Sequence, residues 1–351
     1  MTQSVLWQRI CAQGLGTVAV MGMTKNTGKT VALNHLLRCA AQEGVAVGLT
    51  SIGRDGEEHD QVFSFPKPAV RVWPGMLVAT ARDTLARAKV PTHTVAHTGI
   101  GSPMGEIDLV QVLDEGDMEV AGASRSSDLL QLIAQLQQRG CALVLLDGAL
   151  GRSHHASPAI ADGIVLATGA TLGGAMGDVL RKTRERLALL GIASAPPALV
   201  ERCRAVFVHG GVGLWDAHGG ELFLGQIPTL TAAGTLLHYA ERGVQTIAVS
   251  GAVGRTLWQA VQTLAARVDG LTLVVADGTR LFIDALDLAA LRRLGAQLLA
   301  YRAIGIVGVT LNPVAPLGTS FDAHAFLAEA RIQLAPYEVS DVALTDTLLP
   351  E

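Results

Sequence analysis

Residues 17–34 join an apolar run, a short polar loop and a helix-like stretch, and this order constrains the fold more than any other part of the chain. The apolar run stops at Gly22, and the loop after it ends in Gly28–Thr30. A helical pattern then follows over residues 31–39. Strand, tight loop and helix in this order are the setting that a phosphate-binding loop requires, because loop amides and a helix N-terminus together cradle anionic oxygens.

The side chains of this loop indicate how a nucleotide would be held. Lys29 is predicted to reach the β- and γ-phosphates as a catalytic residue, and the Thr30 hydroxyl is predicted to bind Mg²⁺. Five residues separate Gly22 from Gly28, which makes the loop longer than the common pattern, and Met23 stands where that pattern has its first glycine. The loop residues predicted to bind the nucleotide are Gly22, Thr24, Lys25, Asn26, Thr27, Gly28, Lys29 and Thr30.

Length and composition bound the fold class and the partners. At 351 residues the chain suits one large α/β domain or two smaller ones. Its 49% apolar content and 39 glycines favour a well-buried core with many tight turns. A formal net charge of −4 and an aromatic content of 4% indicate neither a basic surface nor stacking platforms, so no nucleic acid partner is expected.

The apolar stretches and the cysteines indicate the cellular compartment in which the protein is expected. The longest apolar stretches are too short to span a bilayer, and the first eight residues lack the basic start and apolar core of a signal peptide. The four cysteines are widely spaced and form no Cys-x-x-Cys pair, so free thiols in a reducing compartment are expected. These features predict a cytoplasmic protein with no membrane partner.

Apolar strand candidates alternate with helix-length segments along most of the chain. The alternation predicts right-handed βαβ units, and therefore an α/β, doubly wound fold with a mostly parallel sheet. We expect a nucleotide-binding domain over 1–200, a Gly-rich connecting region over 201–245 and a C-terminal α/β lobe over 246–351. An extension of the first sheet by the C-terminal strands is the alternative.

Asp147 ends a second apolar strand candidate, residues 141–146. A carboxylate at the carboxyl end of a strand beside the first strand's loop can hold Mg²⁺ directly or through water. Many α/β strands also end in Asp for reasons of turn geometry, so the loop at Gly22–Thr30 is what favours the functional interpretation. Asp147 is therefore predicted as a catalytic residue and metal ligand.

Three further charged residues follow strand candidates at the same predicted edge. Asp55 is predicted to orient an attacking water or to hold Mg²⁺, and Arg54 to offset charge on the transferring phosphoryl group. A polar surface turn around Gly56 explains the same residues equally well. Arg152 follows Asp147 closely and is predicted to contact the nucleotide. A Gly/Pro-rich stretch, Thr98–Glu106, is predicted to be a loop that closes over a ligand, with a plain turn as the alternative.

The nine-residue string Gly22–Thr30 has the length of the corresponding loop in dethiobiotin synthetase and its relatives, and the chain resembles a P-loop ATPase of that branch. The resemblance implies a P-loop NTPase fold with ATP and Mg²⁺ as cofactors. It also implies that Asn312, at the end of a strand candidate, reads the adenine edge. A turn-forming Asn before Pro313 is the alternative.

The same branch bears on oligomeric state. Some of its dimeric ATPases carry an extra lysine five residues before the loop lysine, where this chain has Thr24. Lys25 is therefore expected to contact phosphate within its own chain. A homodimer is compatible with the sequence but is not indicated by this residue. The chain also lacks the Lys-Pro-Val string of dethiobiotin synthetase and has Asp147-Gly148 where that enzyme has Glu-Gly.

Over most of its length the chain resembles the ATPase-like reactivase subunit of adenosylcobalamin-dependent lysine 5,6-aminomutase. The resemblance implies a slow ATPase that drives exchange of damaged cobalamin from a stalled aminomutase, with that enzyme or a second reactivase subunit as partner. A dethiobiotin synthetase-like ligase or kinase acting on a small acid is the alternative. The strings that carry the resemblance are 22–30, 51–57, 98–106, 146–152 and 167–170.

Overall fold

A computed structural model of the chain describes residues 4–52, 69–148, 157–316 and 318–346, which form a mixed α/β protein. The chain divides into two compact units. The first comprises Met1–Thr183 and Ile306–Glu351, and the second comprises Arg184–Gly305. The second unit is therefore an insertion within the first.

The first unit contains a large sheet with flanking helices. Its helices are α1 (Val5–Ala12), α2 (Lys29–Gln42), α3 (Arg82–Leu85), α4 (Ser126–Gln138), α5 (Met176–Leu190, which runs across the division), α10 (Ala323–Gln333) and α11 (Val342–Asp346). Its strands are β1 (Thr17–Gly22), β2 (Val47–Ser51), β3 (Val70–Val72), β4 (Leu77–Ala81), β5 (Thr92–Ser102), β6 (Gly105–Val112), β7 (Gly116–Met118), β8 (Leu143–Asp147), β9 (Gly163–Gly169), β15 (Ile306–Asn312) and β16 (Val339–Ser340).

Within the described residues, these strands build a nine-stranded sheet in the order β16-β15-β9-β1-β8-β2-β4-β6-β5, and β3 pairs with β7 separately. The strands from β16 to β4 are parallel, and β6 and β5 continue the sheet in antiparallel order. Strand β1 is central, and Val20 pairs with Asp147 on one side and Val165 on the other. The carboxyl ends of β1, β2, β8, β9 and β15 therefore meet at one edge.

Helices cover both faces of this sheet. Val18 and Val20 of β1 pack with Leu33 and Leu36 of α2 in one buried core. On the opposite face α4 comes so close to β2 that a Cβ on Gly48 would lie 3.1 Å from the Leu136 Cβ. Burial of every residue of β1 and β8 follows from this double covering, which explains their uninterrupted apolar sequences.

The second unit, described without a gap from 184 to 305, has a five-stranded sheet in the order β11-β10-β12-β13-β14. Its strands β12, β13 and β14 are parallel, and β10 and β11 form an antiparallel hairpin. Apolar residues of α8, among them Trp258 and Val261, pack into its core. Its elements are α6 (Pro197–His209), β10 (Val212–Asp216), β11 (Glu221–Gly225), α7 (Ala232–His238), β12 (Val244–Val249), α8 (Arg255–Ala265), β13 (Thr272–Val275), α9 (Ala285–Arg293) and β14 (Gln297–Ala300).

These units correct the predicted domain boundaries. The segment 201–245 is not a connecting region, since it holds most of α6, the β10–β11 hairpin and α7 of the inserted unit. The segment 246–351 is not one lobe, because β12 to β14 belong to the inserted unit while β15 and β16 join the first sheet. The expectation of an α/β fold with a large, mostly parallel sheet is confirmed.

The structure also tests three smaller expectations. Thr98–Glu106 is not a covering loop, because it forms the adjoining ends of the paired strands β5 and β6. All four cysteines lie in the described residues as free thiols; Cys11 is exposed, whereas Cys39, Cys141 and Cys203 are buried. Burial raises the pKa of Cys141 to about 11. None of the helices in the described ranges has the length and hydropathy needed to cross a bilayer.

Candidate functional site

The loop between β1 and α2 is folded tightly back on the end of its strand. A Cβ on Gly22 would lie 2.7 Å from Thr27 Oγ1 and 3.0 Å from the Thr24 carbonyl oxygen, so the turn leaves no room for a side chain there. The Thr27 hydroxyl donates to the Thr24 carbonyl at 2.9 Å, and Thr27 is buried. The Met23 amide donates to the Ala167 carbonyl of β9 at 2.8 Å. These contacts give the loop a fixed path.

Helix α2 begins without a side-chain cap. Its N-cap, Gly28, has a left-handed φ of 83° and makes no side-chain capping hydrogen bond. The first donor into the helix is the Ala32 amide, which bonds the Gly28 carbonyl at 2.9 Å. The amides of Lys29, Thr30 and Val31 precede it and have no intrahelical acceptor. Amides at a helix N-terminus, with the dipole behind them, favour an anion.

Lys29 and Asp147 meet at the adjoining ends of α2 and β8. Lys29 Nζ lies 2.5 Å from Asp147 Oδ1, and the two side chains are 20% and 7% exposed. Because β8 is the direct neighbour of β1, its final residue lies beside the loop that β1 enters. Thr30, the residue after Lys29, is buried in the first turn of α2. A cation and a carboxylate thus meet at the sheet edge, and a hydroxyl-bearing residue follows the cation in the helix.

The end of β2 reaches the same point. The Ile52 amide donates to the Asp147 carbonyl at 2.9 Å, and the buried Ser51 hydroxyl accepts from the Gly122 amide at 2.9 Å. The chain therefore leaves β2 beside Asp147. The predicted site residues Arg54 and Asp55 come next in the sequence, but they lie outside the described residues. The same is true of Arg152, so the roles of all three stay predictions.

The remaining predicted residues are also at the loop. Thr24, Lys25 and Asn26 are exposed on it. Asn312, at the end of β15, donates from Nδ2 to the Asn26 carbonyl at 2.9 Å, while its Oδ1 accepts from the Val314 amide at 3.1 Å. Adenine recognition by Asn312 stays a prediction. The contact with Asn26 was missed from the sequence, because 286 residues separate its two partners.

A second polar cluster lies on α3, β5 and β6. Arg82 Nε lies 2.9 Å from Oδ2 of the buried Asp108, and Arg82 Nη2 lies 3.0 Å from Glu106 Oε2. His97 Nδ1 lies 2.8 Å from Asp108 Oδ1. Burial raises the pKa of Asp108, but the hydrogen bonds from Arg82 and His97 outweigh burial and hold that pKa below its ordinary value. The cluster therefore joins α3 to the strands β5 and β6.

This cluster yields a stability prediction. A depressed folded-state pKa means that the Asp108 carboxylate stabilises the fold at neutral pH, and that this contribution is lost as pH falls through the folded-state pKa. We expect Asp108→Asn to lower the free energy of unfolding by about 1–3 kcal/mol near pH 7. The difference from wild type should shrink below about pH 4, as urea titrations at several pH values would show.

Glu106→Gln is the matched control, since the Glu106 side chain is 31% exposed and lies at the rim of the same cluster. Near pH 7 it should cost less than Asp108→Asn. A deficit for Asp108→Asn that stayed constant down to the acid unfolding limit would contradict a role for the carboxylate charge.

Comparisons with known proteins found no match: no family model matches the chain, and no curated protein matches it. Among the described side chains, no three His, Cys, Asp or Glu residues are grouped as a ready-made metal site.

Proposed function

We propose that the chain binds ATP with Mg²⁺ at Gly22–Thr30 and hydrolyses it slowly. The observation that carries the proposal is the 2.5 Å approach of Lys29 Nζ to Asp147 Oδ1, directly beside a helix start with uncapped amides. A lysine and free amides suit phosphate oxygens, whereas a carboxylate repels them. A phosphate bound together with a cation needs both kinds of group side by side: the lysine and amides for its oxygens, and the carboxylate for the cation.

The donor set fits Mg²⁺. This ion prefers oxygen ligands and keeps several waters, so a carboxylate and a hydroxyl from the protein suffice. Asp147 and Thr30 would hold it, and Mg²⁺ would supply neutralisation of charge on the phosphate oxygens. In the structure Lys29 neutralises the nearly buried Asp147 carboxylate. On nucleotide binding, Lys29 would turn to the phosphates and leave Asp147 to the cation.

The biological role within this proposal is that of a reactivating factor. The support is the resemblance to reactivase subunits of adenosylcobalamin-dependent aminomutases, carried by the strings at the loop, after β2 and around Asp147. Ejecting a tightly held cofactor requires a conformational change, and segments ordered by a γ-phosphate and released on hydrolysis provide one. The partner would be an aminomutase stalled with damaged cobalamin, or a second reactivase subunit.

An ATPase assay with added partner tests this role. The purified protein with Mg²⁺-ATP should hydrolyse slowly alone and faster with an aminomutase inactivated by hydroxocobalamin, and the aminomutase should regain activity when adenosylcobalamin is supplied. Hydrolysis that appears only when a small carboxylic acid is added would identify the ligase or kinase alternative instead. Equal hydrolysis with and without the aminomutase, and no recovery of its activity, would contradict the reactivating role.

A further inference from the structure

Asn312 connects the sheet to the loop at Gly22–Thr30. Its carboxamide makes one hydrogen bond to the loop and one to the turn after β15. Nδ2 donates to the Asn26 carbonyl at 2.9 Å, and Oδ1 accepts from the Val314 amide at 3.1 Å. The second bond fixes the plane of the carboxamide relative to the turn that follows β15. The first then sets the position of the loop backbone at Asn26.

Both left-handed residues of the loop lie against this one side chain. Asn26 has a φ of 61°. Within the described part of the chain, it is the one residue other than glycine whose φ is positive. Gly28 has φ 83°, and a Cβ on it would lie 3.0 Å from the Asn312 Cβ. A left-handed residue other than glycine persists only where its surroundings hold it. The bond from Asn312 is such a restraint, and it acts just before the amides that face the phosphate position.

The sheet holds Asn312 from the other side. Asn312 pairs with Gly169 at the ends of β15 and β9, and a Cβ on Gly169 would lie 2.3 Å from the Asn312 carbonyl oxygen. Strand β9 also accepts the Met23 amide through Ala167. The loop is thus attached at both of its halves to the adjoining strands β9 and β15, and Asn312 is the side chain that makes the second attachment.

We propose that Asn312 is a positioning residue that holds the loop at Gly22–Thr30 in its phosphate-binding shape, by fixing Asn26 in the left-handed conformation. This inference rests on the proposed function. It assigns Asn312 an effect on the triphosphate part of the nucleotide, whereas a residue that reads the base would act on the adenine alone. Inorganic tripolyphosphate, which has no base, separates the two roles.

The test compares Mg²⁺-ATP with Mg²⁺-tripolyphosphate by calorimetric titration of the full chain. Asn312→Ala should weaken both ligands by the same factor, about 3- to 10-fold for the loss of one positioning hydrogen bond. Val314→Ala, an exposed position in the same turn, is the matched control and should leave both affinities unchanged. A loss confined to ATP, or no loss at all, would overturn the proposal.

A double-mutant cycle with Asn26→Gly keeps the test decisive if Asn312→Ala also lowers stability. Glycine adopts positive φ without steric cost, so the loop should depend less on its restraint. Asn312→Ala should therefore cost less affinity for tripolyphosphate in the Asn26→Gly background than in the wild type. Equal losses in the two backgrounds would contradict the proposal. A wild-type chain that binds neither ligand would instead refute nucleotide binding itself.

Discussion

Lys29→Ala is expected to weaken binding of Mg²⁺-ATP by about 100-fold or more and to abolish hydrolysis, because each charged hydrogen bond to phosphate contributes about 1.5–3 kcal/mol and the ammonium is placed to make more than one. Lys29 is the first residue of α2 and therefore lies at the helix start that has no side-chain cap. Calorimetric titration and a phosphate-release assay measure the two effects.

The control for this change is Lys89→Ala, which removes an exposed lysine elsewhere in the first unit and should leave both quantities unaltered. Loss of Lys29 also leaves the Asp147 carboxylate without its cation, so stability must be checked by thermal unfolding. Lys29→Arg keeps a positive charge for Asp147 but cannot reproduce the compact ammonium, so it should fold normally and hydrolyse poorly. Wild-type affinity for ATP in Lys29→Ala would refute the assignment of the loop.

Asp147→Asn should separate metal-dependent turnover from nucleotide binding. Removing the carboxylate takes away the predicted metal ligand, so Mg²⁺-dependent hydrolysis should fall by about 100-fold, equivalent to the several kcal/mol that a bound cation contributes. It also releases Lys29 from its ion pair. ATP affinity measured in EDTA should therefore stay equal to that of wild type or increase.

Asp162→Asn is a matched control for this experiment. Asp162 precedes β9 at the opposite end of the sheet, where its Oδ2 accepts from the Gly16 and Thr17 amides at 2.9 and 2.8 Å. Its loss should affect stability and leave the Mg²⁺ dependence of hydrolysis as in wild type. If Asp147→Asn kept normal Mg²⁺-dependent turnover, or lost ATP affinity in EDTA, the role given to this carboxylate would be wrong.

Local order along the chain could be predicted where the sequence pattern is unambiguous. The apolar run before Gly22, the helix after Gly28 and the strand that ends at Asp147 are all present, because burial on both faces of the sheet demands uninterrupted apolar strands. The parallel sheet brings strand ends to one edge, so the proximity of Asp147 to Lys29 followed from topology.

Sheet membership could not be predicted. Strands β13 and β15 have similar apolar sequences, yet β13 belongs to the inserted unit and β15 lies beside β9 in the first sheet. The apolar pattern of a strand indicates that the strand is buried. It does not indicate which neighbouring strand it pairs with. The insertion of 184–305 therefore has no local signature. The alternative expectation, that the C-terminal strands extend the first sheet, holds for β15 and β16 but not for β12 to β14.

The site shows the same limit. The role of Asn312 at Asn26 depends on β15 pairing with β9, which is a long-range contact and has no local pattern. Likewise, Gly and Pro within 98–106 favour a loop between two strands, whereas β5 and β6 continue through this segment to a tight turn between Ser102 and Gly105. The local motifs therefore indicate the loop at Gly22–Thr30 and the strand that ends at Asp147, whereas contacts that depend on strand pairing have no local signal.

The most direct test of phosphate binding by this loop is a crystal structure grown with Mg²⁺ and a non-hydrolysable ATP analogue. The account predicts a triphosphate at the amides of residues 27–30, with Lys29 Nζ turned from Asp147 to the phosphate oxygens and a cation near Asp147 and Thr30. An analogue bound elsewhere, or a loop left empty at saturating analogue with Lys29 still paired to Asp147, would contradict it.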